Sequence, residues 1–152
     1  MGLFLPVTLT AAAAAALINL WLAVRVGQMR GATKTIHGDD GGGPLTRRMR
    51  AMTKTIHGDD SGGPLSRRMR AQLNFVENTP FVLVLIAAIE ITGKGAPWLA
   101  WVAGIYMLGR VAHGMGMDAE TGTKPRMMGT LITMLTLLGL AVMATLIAMR
   151  VI

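Results

Sequence analysis

The 152-residue sequence contains no cysteine. That absence excludes a disulfide scaffold, a thiolate metal site and a cysteine nucleophile together. Charge is also scarce: charged residues make up 15%, where an average soluble chain carries about 25%. Acidic residues are rarest, 8 against 15 basic ones, for a formal net charge of +7. A cationic chain suggests nucleic acid only if the cations are spread over a surface. Here ten of the fifteen basic residues fall between Arg25 and Arg70, in one segment flanked by apolar stretches. Such clustering is a topology signal in membrane proteins, and it argues against a nucleic-acid partner.

What the sequence has in quantity is apolar residues, 52% of the total, arranged in long runs. The length allows one domain. Crossing a hydrocarbon core of about 30 Å takes about 20 helical residues, and four segments qualify. They run over about 3–26, 72–92, 96–117 and 127–149. The first has a rival reading as a signal peptide. It lacks a basic start, however, and its apolar stretch exceeds the usual core of about 7–15 residues, so a retained helix is expected. Residues 27–71 are basic, the second connection holds only Lys94, and the third holds Lys124 and Arg126. The positive-inside rule then puts the first and third connections in the cytoplasm and both termini outside. Pro80 should kink or unwind a turn of the second span. Gly104, Gly109, Gly114 and Gly116 should let other helices approach the third closely.

The first connection is a tandem duplication. Residues 32–51, ATKTIHGDDGGGPLTRRMRA, match residues 52–71, MTKTIHGDDSGGPLSRRMRA, at 17 of 20 positions. Two copies do not build a solenoid, and the Gly-Gly-Pro and Asp-Asp pairs make each copy turn-rich. The second copy contains Asp60-Ser61-Gly-Gly-Pro, similar to a trypsin-like nucleophile motif, with His57 nearby. A helical membrane chain cannot supply the double barrel that chemistry needs, and the other copy has Gly41 where Ser61 would sit. His37, Asp39, Asp40 and their copies are read as solvated loop polarity in preference to a metal site.

The informative residues are the polar ones that should not lie in lipid. Arg70, Asn74 and Glu77 recur at i, i+4 and i+7, on one helical face, with Asn78 and Gln72 beside it. Arg110, His113 and Met117 have similar spacing on the third span. Charges at such depth usually face a bundle interior and are paired. Glu77 lies seven residues past the helix entry at Arg70, roughly 10 Å deep at about 1.5 Å per residue. Arg110 lies at a similar distance from the same side, so a buried Glu77–Arg110 ion pair is expected. Arg70, Gln72, Asn74, Lys124 and Arg126 would give the cytoplasmic mouth donors and positive charge, suited to a carboxylate ligand.

The segment Arg70-Ala-Gln-Leu-Asn-Phe-Val-Glu77-Asn-Thr-Pro80 resembles the RAQxNxxExxP element of the MAPEG family, the membrane-associated proteins of eicosanoid and glutathione metabolism. Arg110-Val-Ala-His113 with Gly116, and Arg126 with Gly129 and Thr133, are similar to bacterial members. The resemblance implies an all-α, integral-membrane, four-helix up-down bundle assembled as a homotrimer, in a bacterial inner membrane. It implies glutathione as cosubstrate and no metal, with a lipophilic partner substrate arriving from the bilayer. Arg70, Gln72, Asn74, Glu77, Arg110 and His113 would form the glutathione site. Arg126, or alternatively Lys124, would activate the thiol. The activity implied is a glutathione-dependent transferase or peroxidase. The eicosanoid-forming relatives have tyrosines where this chain has Asn78, His113 and Met117, which argues against eicosanoid synthesis. A non-catalytic bundle binding another anionic amphiphile is the alternative.

Overall fold

The computed structural model describes residues 4–34, 63–95, 97–119 and 122–152. His37, Asp39, Asp40, His57, Asp60, Ser61 and most of the duplicated loop lie outside these. Four helices account for nearly all the described chain: α1 (Pro6–Thr33), α2 (Pro64–Ile91), α3 (Trp98–Gly116) and α4 (Lys124–Ala148). Proline in the first turn starts α1, α2 and α4, where a missing N–H costs nothing and φ is already helical. α1 ends at Lys34, whose left-handed backbone (φ 52°) returns its N–H to the carbonyls of Arg30 and Gly31. After α2 the chain turns through Gly93 at φ +72°, a conformation that favours glycine.

Two helices extend into what the sequence suggests is loop. α1 continues past 26, and α2 begins at Pro64 instead of near 72. Arg30, Arg67, Arg68 and Arg70 are therefore helical residues with defined faces. Of the kink or unwound turn expected at Pro80, the unwound turn is absent, since α2 is one continuous helix through it. α1, α2 and α4 are long and apolar enough to cross a membrane. α3 is shorter, and it carries Arg110 and His113, both buried.

The bundle runs up-down-up-down. Glu90, at the end of α2, accepts hydrogen bonds from the Val7 and Thr8 amides (2.8 Å each) and from the Thr8 hydroxyl (2.7 Å) at the start of α1. A carboxylate on the free N–H groups of a helix start is favourable by about 0.5–2 kcal/mol, so α2 caps α1. At the opposite, basic end, Asp118 pairs with Arg25 of α1 and with Arg68 of α2 at 3.0 Å. Arg25 also stacks on Trp21, 4.6 Å from the ring centre, and donates to the Gly114 carbonyl.

The core follows helical periodicity. Ala11, Ala15, Ile18, Leu22 and Val26 form the inner stripe of α1; Ala71, Phe75, Thr79, Val82, Ile86 and Ile89 form that of α2. The remaining apolar surface is turned outward, with Phe81 66% and Leu138 64% exposed. Burying this surface in hydrocarbon removes it from water without any protein partner.

Three of the four predicted glycine approaches are present. A Cβ on Gly109 would lie 2.8 Å from Ile132, one on Gly114 3.0 Å from Leu22 and Trp21, and one on Gly116 2.5 Å from the Arg126 nitrogen. Gly104 faces open space.

Candidate functional site

The outer face of α2 carries a mixed stripe. Arg70 and Glu77 are exposed and Asn74 half-buried, among exposed Leu73, Phe81 and Val84. On the inner side of the same helix Ala71, Phe75 and Thr79 are packed into the core. Beside the stripe, at the basic end, α1 and α2 enclose a cleft of about 390 Å³. Val26, Leu73 and Val76 make its apolar wall, and Arg30, Arg70 and Gln72 supply its polar groups. Arg30 is the residue that sequence reasoning missed. Extending the first helix by about one turn would have brought it to Arg30, which lines the cleft with Arg70.

The expected Glu77–Arg110 ion pair does not form. Arg110 is 1% exposed, and its Nη1 donates to Thr133 Oγ1 on α4 at 3.0 Å. Its guanidinium carbon lies 5.7 Å from the centre of the Phe75 ring, within reach of a cation–π attraction. Its Nε and Nη2 are buried without a hydrogen-bond partner among the described residues. The depth comparison placed the two charges at the same level but ignored direction around the helix. Glu77 follows Phe75 by two residues, about 200° around the helix at 3.6 residues per turn, so it points away from α3.

α3 and α4 make a second polar region. Tyr106 is wholly buried and its hydroxyl lies 3.0 Å from Thr79 Oγ1 of α2. One turn further along α3 is Arg110, and one turn beyond that His113, 5% exposed. The His113 Nδ1–H donates to the Arg126 carbonyl at 3.2 Å, and Thr130 Oγ1 donates to the same oxygen at 3.0 Å. Arg126 is half-buried and Lys124 exposed. Among the described residues, the Arg126 guanidinium makes no hydrogen bond or ion pair.

The chain therefore divides its predicted site residues between two places. Arg70 and Gln72 share the α1–α2 cleft with Arg30, and Asn74 and Glu77 continue that face beyond the cleft. Arg110, His113 and Arg126 sit on the α3–α4 seam. Among the described residues no group of three metal-ligating side chains comes together.

The sequence profile of the MAPEG family matches residues 8–146. The chain belongs to the MAPEG family. As a MAPEG protein it is an integral membrane protein of a family that includes glutathione transferases and peroxidases among other members. The match begins early in α1 and ends near the close of α4, so all four helices fall within it. None of the curated proteins matches the chain.

Proposed function

We propose that this MAPEG protein is a membrane-bound transferase or peroxidase that uses glutathione against lipophilic electrophiles or hydroperoxides. The observation that carries the reading is the outer face of α2. Arg70 and Glu77 are exposed on a helix apolar enough to cross a membrane, and charges in lipid cost several kcal/mol, of the order of 3 at mid-depth. A second copy of the chain covering that face would remove the cost, as in a homotrimer. It would also set the α1–α2 cleft of one copy against the α3–α4 seam of the next, joining the two halves of the predicted site.

The residues present suit glutathione, which offers two carboxylates, an ammonium group and a thiol. Arg30 and Arg70 are guanidinium forks for the carboxylates, Glu77 is an anion for the ammonium, and Gln72 and Asn74 add amide groups. The cleft, about 390 Å³, falls within the usual range for small-molecule sites. Arg126 would stabilise the thiolate, because a cation beside sulfur lowers its pKa. On an electrophilic carbon the thiolate forms the S–C bond while the leaving group departs with its electron pair. With a hydroperoxide, two glutathiones supply the electrons, and the products are their disulfide, an alcohol and water. The basic end, with both arginine clusters, would lie in the cytoplasm where glutathione is abundant.

Equilibrium binding of glutathione to the purified protein, with thiolate absorbance as a second readout, tests this. Saturable binding with thiolate formation is expected, and Arg70→Ala should weaken binding about tenfold or more, the scale of one charge-assisted pair. Absence of both signals in the intact protein would overturn the proposal. One observation favours a non-catalytic bundle: Met117 is buried and Asn78 replaces a phenol, so no hydroxyl is offered there to the sulfur. On that reading glutathione or another anionic amphiphile would bind without thiolate formation.

A further inference from the structure

Arg126 is held by its backbone. Its guanidinium makes no hydrogen bond or ion pair among the described residues, whereas its main chain is held close against α3. The His113 ring donates Nδ1–H to its carbonyl at 3.2 Å. Thr123, the residue before α4, donates its hydroxyl to the Gly116 carbonyl at 3.0 Å. The backbones of α3 and α4 then come so close that a Cβ on Gly116 would lie 2.5 Å from the Arg126 nitrogen, and one on Gly129 2.5 Å from the His113 Cβ. Nowhere else among the described glycines does one helix approach the backbone of another so closely at two consecutive turns.

We infer that His113 is a positioning residue: by holding the Arg126 carbonyl through Nδ1–H, it fixes the first turn of α4 and with it the reach of the Arg126 guanidinium to the thiol. The inference rests on the proposed role of Arg126 in thiol activation. Its physical basis is directional. The first-turn N–H groups of a helix have no intrahelical partners, and that turn frays unless something outside the helix holds it. The glycine contacts set how close α3 and α4 lie, but they leave rotation of the turn about the α4 axis free. The His113 Nδ1 lies 3.2 Å from the Arg126 carbonyl and 3.3 Å from the Thr130 hydroxyl, which itself donates to that carbonyl, so these side-chain contacts set the rotation as well. Coulomb attraction falls with distance, so a guanidinium that wanders by an ångström or two stabilises a thiolate less. The same geometry separates Arg126 from Lys124, which is exposed at the helix start and has no comparable hold.

The commitment of one ring nitrogen supplies the test. The amide nitrogen of asparagine falls near the place of Nδ1, that of glutamine near Nε2. His113→Asn should therefore keep the hold on Arg126, and His113→Gln should lose it. In the full-length protein with glutathione bound, the midpoint of thiolate formation against pH is measured for both variants and for Arg126→Ala. The Gln variant should move the midpoint upward toward that of Arg126→Ala and lower kcat about tenfold, which corresponds to one pKa unit. The Asn variant should move the midpoint less than the Gln variant does. A Gln variant with the parental midpoint, or an Asn variant as impaired as the Gln, overturns the inference. Amide hydrogen exchange over residues 124–130 decides the positioning without glutathione: faster exchange in the Gln variant alone supports it, and equal exchange in all three proteins refutes it. If the parent forms no thiolate while the exchange pattern holds, the proposed activity falls and the positioning stands.

Discussion

Arg110 and Glu77 illustrate how depth in a membrane and direction around a helix are separate quantities. Their spacing from the helix ends puts them at one level, and that much is legible in the sequence. Which way each points depends on how α2 is rotated against α3, and Phe75 and Thr79 claim the inward position. Arg110 is left with a threonine hydroxyl and an aromatic face as its partners. Breaking a buried ion pair costs about 3–5 kcal/mol; because Glu77 makes no such pair, its charge contributes little to the fold of one chain. Glu77→Gln should leave the thermal unfolding midpoint in detergent, without glutathione, unchanged within about 0.5 kcal/mol of stability. The same variant should bind glutathione more weakly, through loss of the anion proposed for the ammonium group. A midpoint lowered by several degrees without ligand would show that Glu77 is paired after all.

Among the elements, the four helices were legible as runs rich in apolar residues, and three of them, α1, α2 and α4, are long and apolar enough to cross a membrane. The helix ends were not legible. α1 and α2 run on through arginines that a hydropathy reading assigns to loop, because an arginine on a helix can stretch its head to the interface or to an acidic partner. Arg25 and Arg68 do the latter, meeting on Asp118. Glu90 was visible only as the end of an apolar run. Its role as a cap on α1 depends on two helix ends that are more than 80 residues apart in sequence. The glycines of α3 were correctly read as sites of close approach at three positions out of four, and Gly104 is the exception because no neighbour packs over it. A matched pair of substitutions tests this packing. Gly129→Ala places a Cβ 2.5 Å from the Gly109 carbonyl and the His113 Cβ, an overpacking that should cost about 1–3 kcal/mol. Gly104→Ala enters open space and should be neutral or stabilising by up to about 1 kcal/mol, from helix propensity. Equal effects of the two on thermal stability would contradict the α3–α4 contact.

For the whole molecule, the missing cysteine and the surplus of lysine and arginine take on specific meanings. A thiol enzyme with no cysteine must receive its sulfur with the ligand. The +7 net charge is partly a product of duplication, since residues 32–51 bring four basic and two acidic residues. What remains is concentrated at one end of the bundle, on α1, α2 and the start of α4. The predicted site looked continuous in sequence because its residues share a depth. In one chain it is split between the α1–α2 cleft and the α3–α4 seam, and sequence patterns on single helices carry no information about contacts between copies. The central claim is that copies of the chain assemble so that the two halves meet around glutathione. Native mass spectrometry of the purified protein, with and without glutathione, tests it most directly. A three-chain species that takes up glutathione, with no uptake by single chains, is the predicted result. Single chains that bind glutathione, or a three-chain species that takes up none, would contradict it.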